Sequence, residues 1–192
     1  MITWLFSLAI VLAQGSDLDG AGIDKGDPDA PLLVVEFVDY GCGACALFAN
    51  ETFPAVDEQL IRTGRIRWKA VPFRLGPFRH SKQATMASLC AAEQGGFWPY
   101  HAWLFANRDA WQDPKKPFPV FQAYAGESGL DTLQFRVCYE RDETEDRAKD
   151  LRSLARRHGV RATPTFFIGE RQVLGAHPAA TFMELVNEAL HP

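Results

Sequence analysis

The residues with the most direct chemical meaning in this sequence are Cys42-Gly43-Ala44-Cys45. Two thiols at that spacing either share a metal ion or close into a disulfide within one turn of chain. A zinc site needs two further ligands. Cys90 and Cys138 stand apart, neither belongs to a second Cys-x-x-Cys or Cys-x-x-His, and the five histidines (80, 101, 158, 177 and 191) share no ligand spacing. The context therefore favours a redox pair that needs neither metal nor cofactor, with metal binding as the alternative. The motif follows an apolar run and opens a helical pattern, so Cys42 falls at or just before a helix N-terminus. Unpaired N–H groups and the helix dipole there favour a thiolate. Cys42 is then nucleophile or leaving group, and Cys45, one turn in, resolves. Gly41 and Gly43 leave room for another polypeptide to approach the sulfur.

Two further features turn the spacing into a constellation. Glu36 lies six residues before Cys42 inside an otherwise apolar stretch. Buried, its carboxyl has a raised pKa and is able to exchange protons with Cys45; at a sheet edge, it simply faces water. Thr163-Pro164 opens the run Thr165-Phe166-Phe167-Ile168. A proline there donates nothing to a strand ladder and is a candidate for a cis bond, leaving the Thr163 backbone free to pair with an incoming chain.

The elements that must position these groups follow from periodicity. Leu32 to Val38 reads as a buried, central strand. From Cys45, apolar residues at Phe48, Phe53, Val56 and Leu60 repeat at helical spacing up to Gly64, and Pro54 should bend that helix. A second strand is expected over Arg65 to Phe73. Helices are expected over Lys82 to Gln94, Pro99 to Asn107, Pro119 to Ala125, Leu130 to Tyr139 and Glu143 to Arg157. Then come strands over Thr165 to Ile168 and Arg171 to Leu174, and a final helix over Pro178 to Leu190. The aromatic cluster Phe97, Trp98, Tyr100, Trp103 and Phe105 reads as core, or in part as the wall of a substrate groove. The order predicts an α/β sandwich with a helical insertion.

With 192 residues, 47% of them hydrophobic, the chain has enough apolar material for one good core. A formal charge of -4 argues against nucleic acid as a partner. Ile2 to Ala13 is apolar but shorter than the roughly 20 residues that span a bilayer, which suggests a signal peptide or short anchor over residues 1–13 and an extracytoplasmic, periplasmic destination. Residues 14–30, with five Asp against one Lys, read as a flexible acidic tether ahead of a domain at 31–192.

Taken together, residues 26–190 resemble the DsbA-like branch of the thioredoxin superfamily. The resemblance rests on the acidic residue six before the first Cys, the Cys-x-x-Cys at a helix start, Thr-Pro ahead of the penultimate strand, and a terminal helix. It implies a thioredoxin fold whose helical insertion spans about 78–158, with a cis Thr163-Pro164 loop against the active-site sulfur. It also implies dithiol oxidation of cysteine-containing exported proteins through Cys42-Cys45, with a quinone-linked oxidase or an electron donor in the membrane as redox partner. A disulfide reductase or isomerase, or a peptide-binding chaperone-like module, is the alternative. The dipeptide departs from the family: DsbA places Pro-His between its cysteines, its His stabilising the thiolate, where this chain has Gly43-Ala44. Cys90 and Cys138 are either two small buried hydrophobes or, as the exported context and some DsbA-like proteins suggest, a structural disulfide.

Overall fold

A computed structural model describes residues 17–191. The expected export segment, residues 1–13, lies outside them. Five strands form one mixed sheet: β1 (Ile23–Lys25), β2 (Leu33–Val38), β3 (Arg67–Pro72), β4 (Thr165–Ile168) and β5 (Arg171–Leu174), in the order β1-β3-β2-β4-β5. The central β2 runs parallel to β3 and antiparallel to β4, while β1 and β5 close the two edges antiparallel. Because β2 has strands on both sides and helices over both faces, its residues from Val34 to Val38 are all buried, which explains an apolar run with no clean alternation.

The helix after β2, α1, is continuous but not uniform. It is α-helical over Gly43–Leu47, widens to a π-turn over Phe48–Thr52, returns over Phe53–Val56 and widens again over Asp57–Ile61. Pro54 lacks an N–H and its ring crowds the carbonyl of Asn50, so the wider turn takes up the expected distortion. With the final helix α8 (Ala179–Leu190), α1 covers one face of the sheet, where Val34, Phe48, Val56, Trp68, Phe166 and Phe182 form a core.

Between β3 and β4 lie α2 (Ser81–Glu93), α3 (Phe97–Ala106), α4 (Arg108–Gln112), α5 (Phe118–Glu127), α6 (Thr132–Glu140) and α7 (Asp142–Arg157). Helix α2 is buried on two sides. Met86 and Leu89 join Phe37 and Val71 of the sheet, whereas Ala84, Ala87 and Cys90 join Tyr100, Phe121 and Phe135 of the helical layer. Its small residues permit that wedge position. The five-residue α4 is too short to show a helical period in sequence; Trp111 anchors it, fully buried and donating from Nε1 to the Leu104 carbonyl at 2.9 Å.

One expectation is corrected. Within the acidic tract read as a tether, Ile23–Lys25 is an edge strand of the sheet. Its charges have partners that lie far along the chain: Asp19 and Asp24 pair with Arg67, and Asp24 accepts from buried Lys69 at 2.7 Å. Trp98 Nε1 also donates to the Asp24 carbonyl at 2.8 Å. Gly22 lies at φ +70°, and a Cβ there would sit 2.4 Å from the Ala70 carbonyl oxygen, so a glycine that looked like linker composition is required by a close backbone approach.

Candidate functional site: a dithiol at a helix N-terminus

Cys42 is the N-cap of α1, with extended backbone (φ -79°, ψ 125°). Its side chain reaches the surface, being 8% exposed, whereas Cys45 one turn later is wholly buried. Both are free thiols, so this is the reduced, dithiol form. The Cys42 pKa is pulled down from 9.0 to about 5. The hydrogen bond from the Cys45 thiol contributes most, partial burial opposes it, and the Thr163 side chain and the amides of Cys45 and Ala44 add to the lowering. Burial, then the Cys42 anion beside it, push the Cys45 thiol well up. One sulfur is thus a thiolate at neutral pH that just reaches the surface and the other a buried proton donor, a division of labour suited to attack and resolution.

The Thr163-Pro164 bond is cis, and Cys42 Sγ lies 3.3 Å from the Thr163 carbonyl oxygen, to which it donates when protonated. The structure therefore brings Thr163 and Pro164 to the dithiol across 121 residues of chain. Glu36, 2% exposed on β2, lies between Ala70 and Phe166 in register. It is the buried carboxyl, not the edge residue: desolvation raises its pKa from 4.5 to about 8, the Trp68 indole pulling the other way. Its charge also contributes to the high pKa of Cys45. Neither Glu36 Oε1 nor Trp68 Nε1 has a hydrogen-bond partner among the described residues.

Three residues of the site escaped sequence reasoning. Asp39 is fully buried; its carboxylate accepts from the Gly41 and Leu75 amides at 2.8 Å each, from Gly76 at 3.4 Å and from the Ser81 hydroxyl, while its carbonyl accepts from the Cys42 amide at 3.0 Å. It ties the loop carrying Cys42 to the loop after β3. An Asp at the end of a strand, two before a Gly, is a recognisable turn signal. Arg108, at the start of α4, donates from Nη2 to the Gly41 carbonyl at 2.6 Å, and its Nη1 lies 3.7 Å from where a Gly43 Cβ would be. The guanidinium thus occupies the flank of the dipeptide that Gly43 leaves open. Nothing local signals this, since Gly41 and Arg108 are 67 residues apart. Phe78, 39% exposed, packs over Gly41 so closely that a Cβ there would meet its own Cβ at 2.2 Å.

Cys90 and Cys138 form a disulfide between α2 and α6, with Cα atoms 5.6 Å apart. They belong to the same buried cluster as Cys45 and Tyr40. Of the aromatic cluster, Phe97, Tyr100 and Phe105 are core, whereas Trp98 stacks on Phe53 and carries Lys25 of β1 over its ring at 5.1 Å.

A three-layered α/β fold with a Cys-x-x-Cys at the first helix and a cis-proline loop facing it defines a thioredoxin-fold protein. The family model described as "Thioredoxin" matches residues 19–188, and the chain belongs to that family. Within it the fold is DsbA-like: Wolbachia pipientis alpha-DsbA1 superposes with a TM-score of 0.76 at 24% identity, over 87% of this chain and 89% of that one. Disulfide bond formation protein D of Bacillus subtilis is 24% identical over 172 residues, 83% of this chain and 76% of its own length. The Na(+)/H(+) antiporter NhaA of Herminiimonas arsenicoxydans is 31% identical over 157 residues, 82% of this chain. The match spans only 24% of the antiporter's length.

Proposed function

We propose that the chain exchanges thiols and disulfides with cysteine-containing proteins through Cys42 and Cys45, and that it works chiefly as an oxidant. The observation that carries this reading is the Cys42 thiolate, pKa about 5, at a helix N-terminus beside the cis Thr163-Pro164 loop. A stabilised thiolate favours the dithiol over the disulfide and makes Cys42 a good leaving group, and both effects drive electrons from substrate into the pair.

In the oxidising direction the pair begins as a disulfide. A substrate thiolate attacks Cys42 Sγ, the Cys42–Cys45 bond breaks, and the Cys45 thiolate takes a proton, for which we assign Glu36, a buried acid whose charge bears on Cys45. A second substrate thiolate then attacks the substrate sulfur of the mixed disulfide, releasing oxidised substrate and the Cys42 thiolate. Two electrons have passed to the protein. Thr163, whose carbonyl lies 3.3 Å from Cys42 Sγ, aligns the incoming chain beside that sulfur. Recycling requires an electron acceptor, which we assign to a membrane redox partner outside the cytoplasm; no helix among the described residues is long and apolar enough to cross a membrane.

A Cys45→Ser variant tests the assignment of roles. It should accumulate a mixed disulfide when the Cys42 thiolate attacks a disulfide-bonded substrate and one substrate sulfur leaves as thiolate, resolvable by gel shift, while Cys42→Ser accumulates none. Equal trapping by both variants would remove the reading. The second direction, reductase or isomerase, is favoured by one observation, the Gly43-Ala44 dipeptide, which supplies no side-chain donor to the thiolate.

A further inference from the structure

The chain as a whole is acidic, at -4, yet one of its cavities gathers cations. Between α2, α7 and the end of β3 lies a space of about 180 Å³ faced by Arg74, Lys82, Thr85, Glu145, Lys149 and Arg152. A single carboxylate meets four basic side chains. Glu145 is engaged with Lys82 at 2.7 Å and Lys149 at 3.4 Å, and Lys149 also meets Asp146 at 2.8 Å. The Lys82 and then the Lys149 hydrogen bonds hold the Glu145 carboxyl below its usual range.

That pairing leaves the two arginines. Among the described residues neither Arg74 nor Arg152 meets a carboxylate, and Arg74 Nε donates to the Gly76 carbonyl at 3.1 Å, which fixes the plane of its guanidinium. The decisive residue is Thr85. It is 1% exposed, it lines the same cavity, and its hydroxyl has no hydrogen-bond partner among the described residues. A buried hydroxyl left unpaired costs free energy that a bound acceptor would return. Two arginine forks and a hydroxyl suit an oxyanion with several acceptor oxygens.

We propose that this cavity binds a small tetrahedral oxyanion of the phosphate class, held by Arg74 and Arg152, accepting from Thr85 Oγ1, with Lys82 and Lys149 adding charge at the rim. Nothing in the proposal depends on the thiol chemistry, so the two stand or fall separately.

The experiment is a titration of the full chain with inorganic phosphate in chloride buffer at constant ionic strength, followed calorimetrically and by thermal melting. Expected are one saturable site and a rise in Tm, because a ligand bound only by the folded state stabilises it. Arg74→Gln/Arg152→Gln should weaken binding at least ten-fold and Thr85→Val several-fold. Arg62→Gln, at an exposed arginine elsewhere, should change nothing. Glycerol phosphate competing for the same site would extend the site to soluble phosphate esters. Absence of saturation, equal affinity in the double variant, or pelleting with phosphatidylglycerol vesicles that free phosphate does not compete would overturn the small-ion assignment, the last of these in favour of a lipid headgroup.

Discussion

At the scale of the residue, the two sulfurs differ because their surroundings differ. Cys42 is served by hydrogen-bond donors at a helix N-terminus, whereas Cys45 is buried beside the anion it stabilises. Glu36 shows the opposite balance, a carboxyl with too little compensation for its burial. Its folded pKa of about 8 stands above the unfolded value of 4.5, so its contribution to stability is fully present below pH 4.5 and is lost as the pH rises towards 8. A Glu36→Gln variant should therefore be no more stable than the parent near pH 4.5 but more stable at pH 8, by a margin of a few kcal/mol, since each tenfold change in proton affinity on folding is worth about 1.4 kcal/mol. Urea unfolding at the two pH values measures this; a margin that does not grow with pH would contradict the burial of an ionisable Glu36. The same variant should slow resolution of the mixed disulfide by Cys45. Cys42, Cys45, Glu36, Thr163 and Pro164 were all legible in the sequence, because each is an exception to its local pattern: a paired thiol, a carboxylate in an apolar strand, a proline at a strand start. Asp39 left only a turn signal, and Arg108 left none, because an exposed-looking arginine on a five-residue helix carries no local mark of what it touches.

At the scale of the element, the long helices and the strands β2 to β5 were legible because periodicity reports them directly, down to the bounds of β4 and β5. Strand β1 was hidden for the opposite reason. Gly and Asp composition reads as linker, and the basic partners on β3, Arg67 and Lys69, lie more than 40 residues away in the chain. The helical layer is held to α2 by the Cys90–Cys138 bond, which closes a loop of 48 residues. Replacing both by Ala should lower stability by about 2–4 kcal/mol, chiefly by freeing the unfolded chain. Denaturation of the variant and the parent under identical conditions checks it, and equal midpoints would contradict a structural role. Helix α4 matters through Arg108. Arg108→Met removes a charge-assisted hydrogen bond to the Gly41 carbonyl and should cost roughly 1.5–3 kcal/mol. It should also slow thiol exchange at Cys42, with Arg108→Lys intermediate. Exchange rates unchanged in Arg108→Met would show that the clasp plays no part in holding the Cys42 loop.

At the scale of the whole molecule, the thioredoxin sheet and the helical layer meet at the dithiol. Cys45 packs in the same cluster as Tyr100, Trp111, Phe121 and Phe135 of the insertion, while the cis loop reaches Cys42 from the far end of the chain. The insertion thus supplies both a wall behind Cys45 and the guanidinium beside Gly43. The fold makes thiol–disulfide exchange the natural chemistry of the site, and the direction of electron flow rests on how strongly the thiolate is favoured over the disulfide. The reduction potential of the Cys42–Cys45 pair, measured by equilibration with glutathione at pH 7, tests this most directly. A stabilised Cys42 thiolate predicts a value closer to the about -120 mV of DsbA than to the about -270 mV of thioredoxin, each 30 mV being about 1.4 kcal/mol. A value at or below that of thioredoxin would contradict the assignment of the chain as an oxidant.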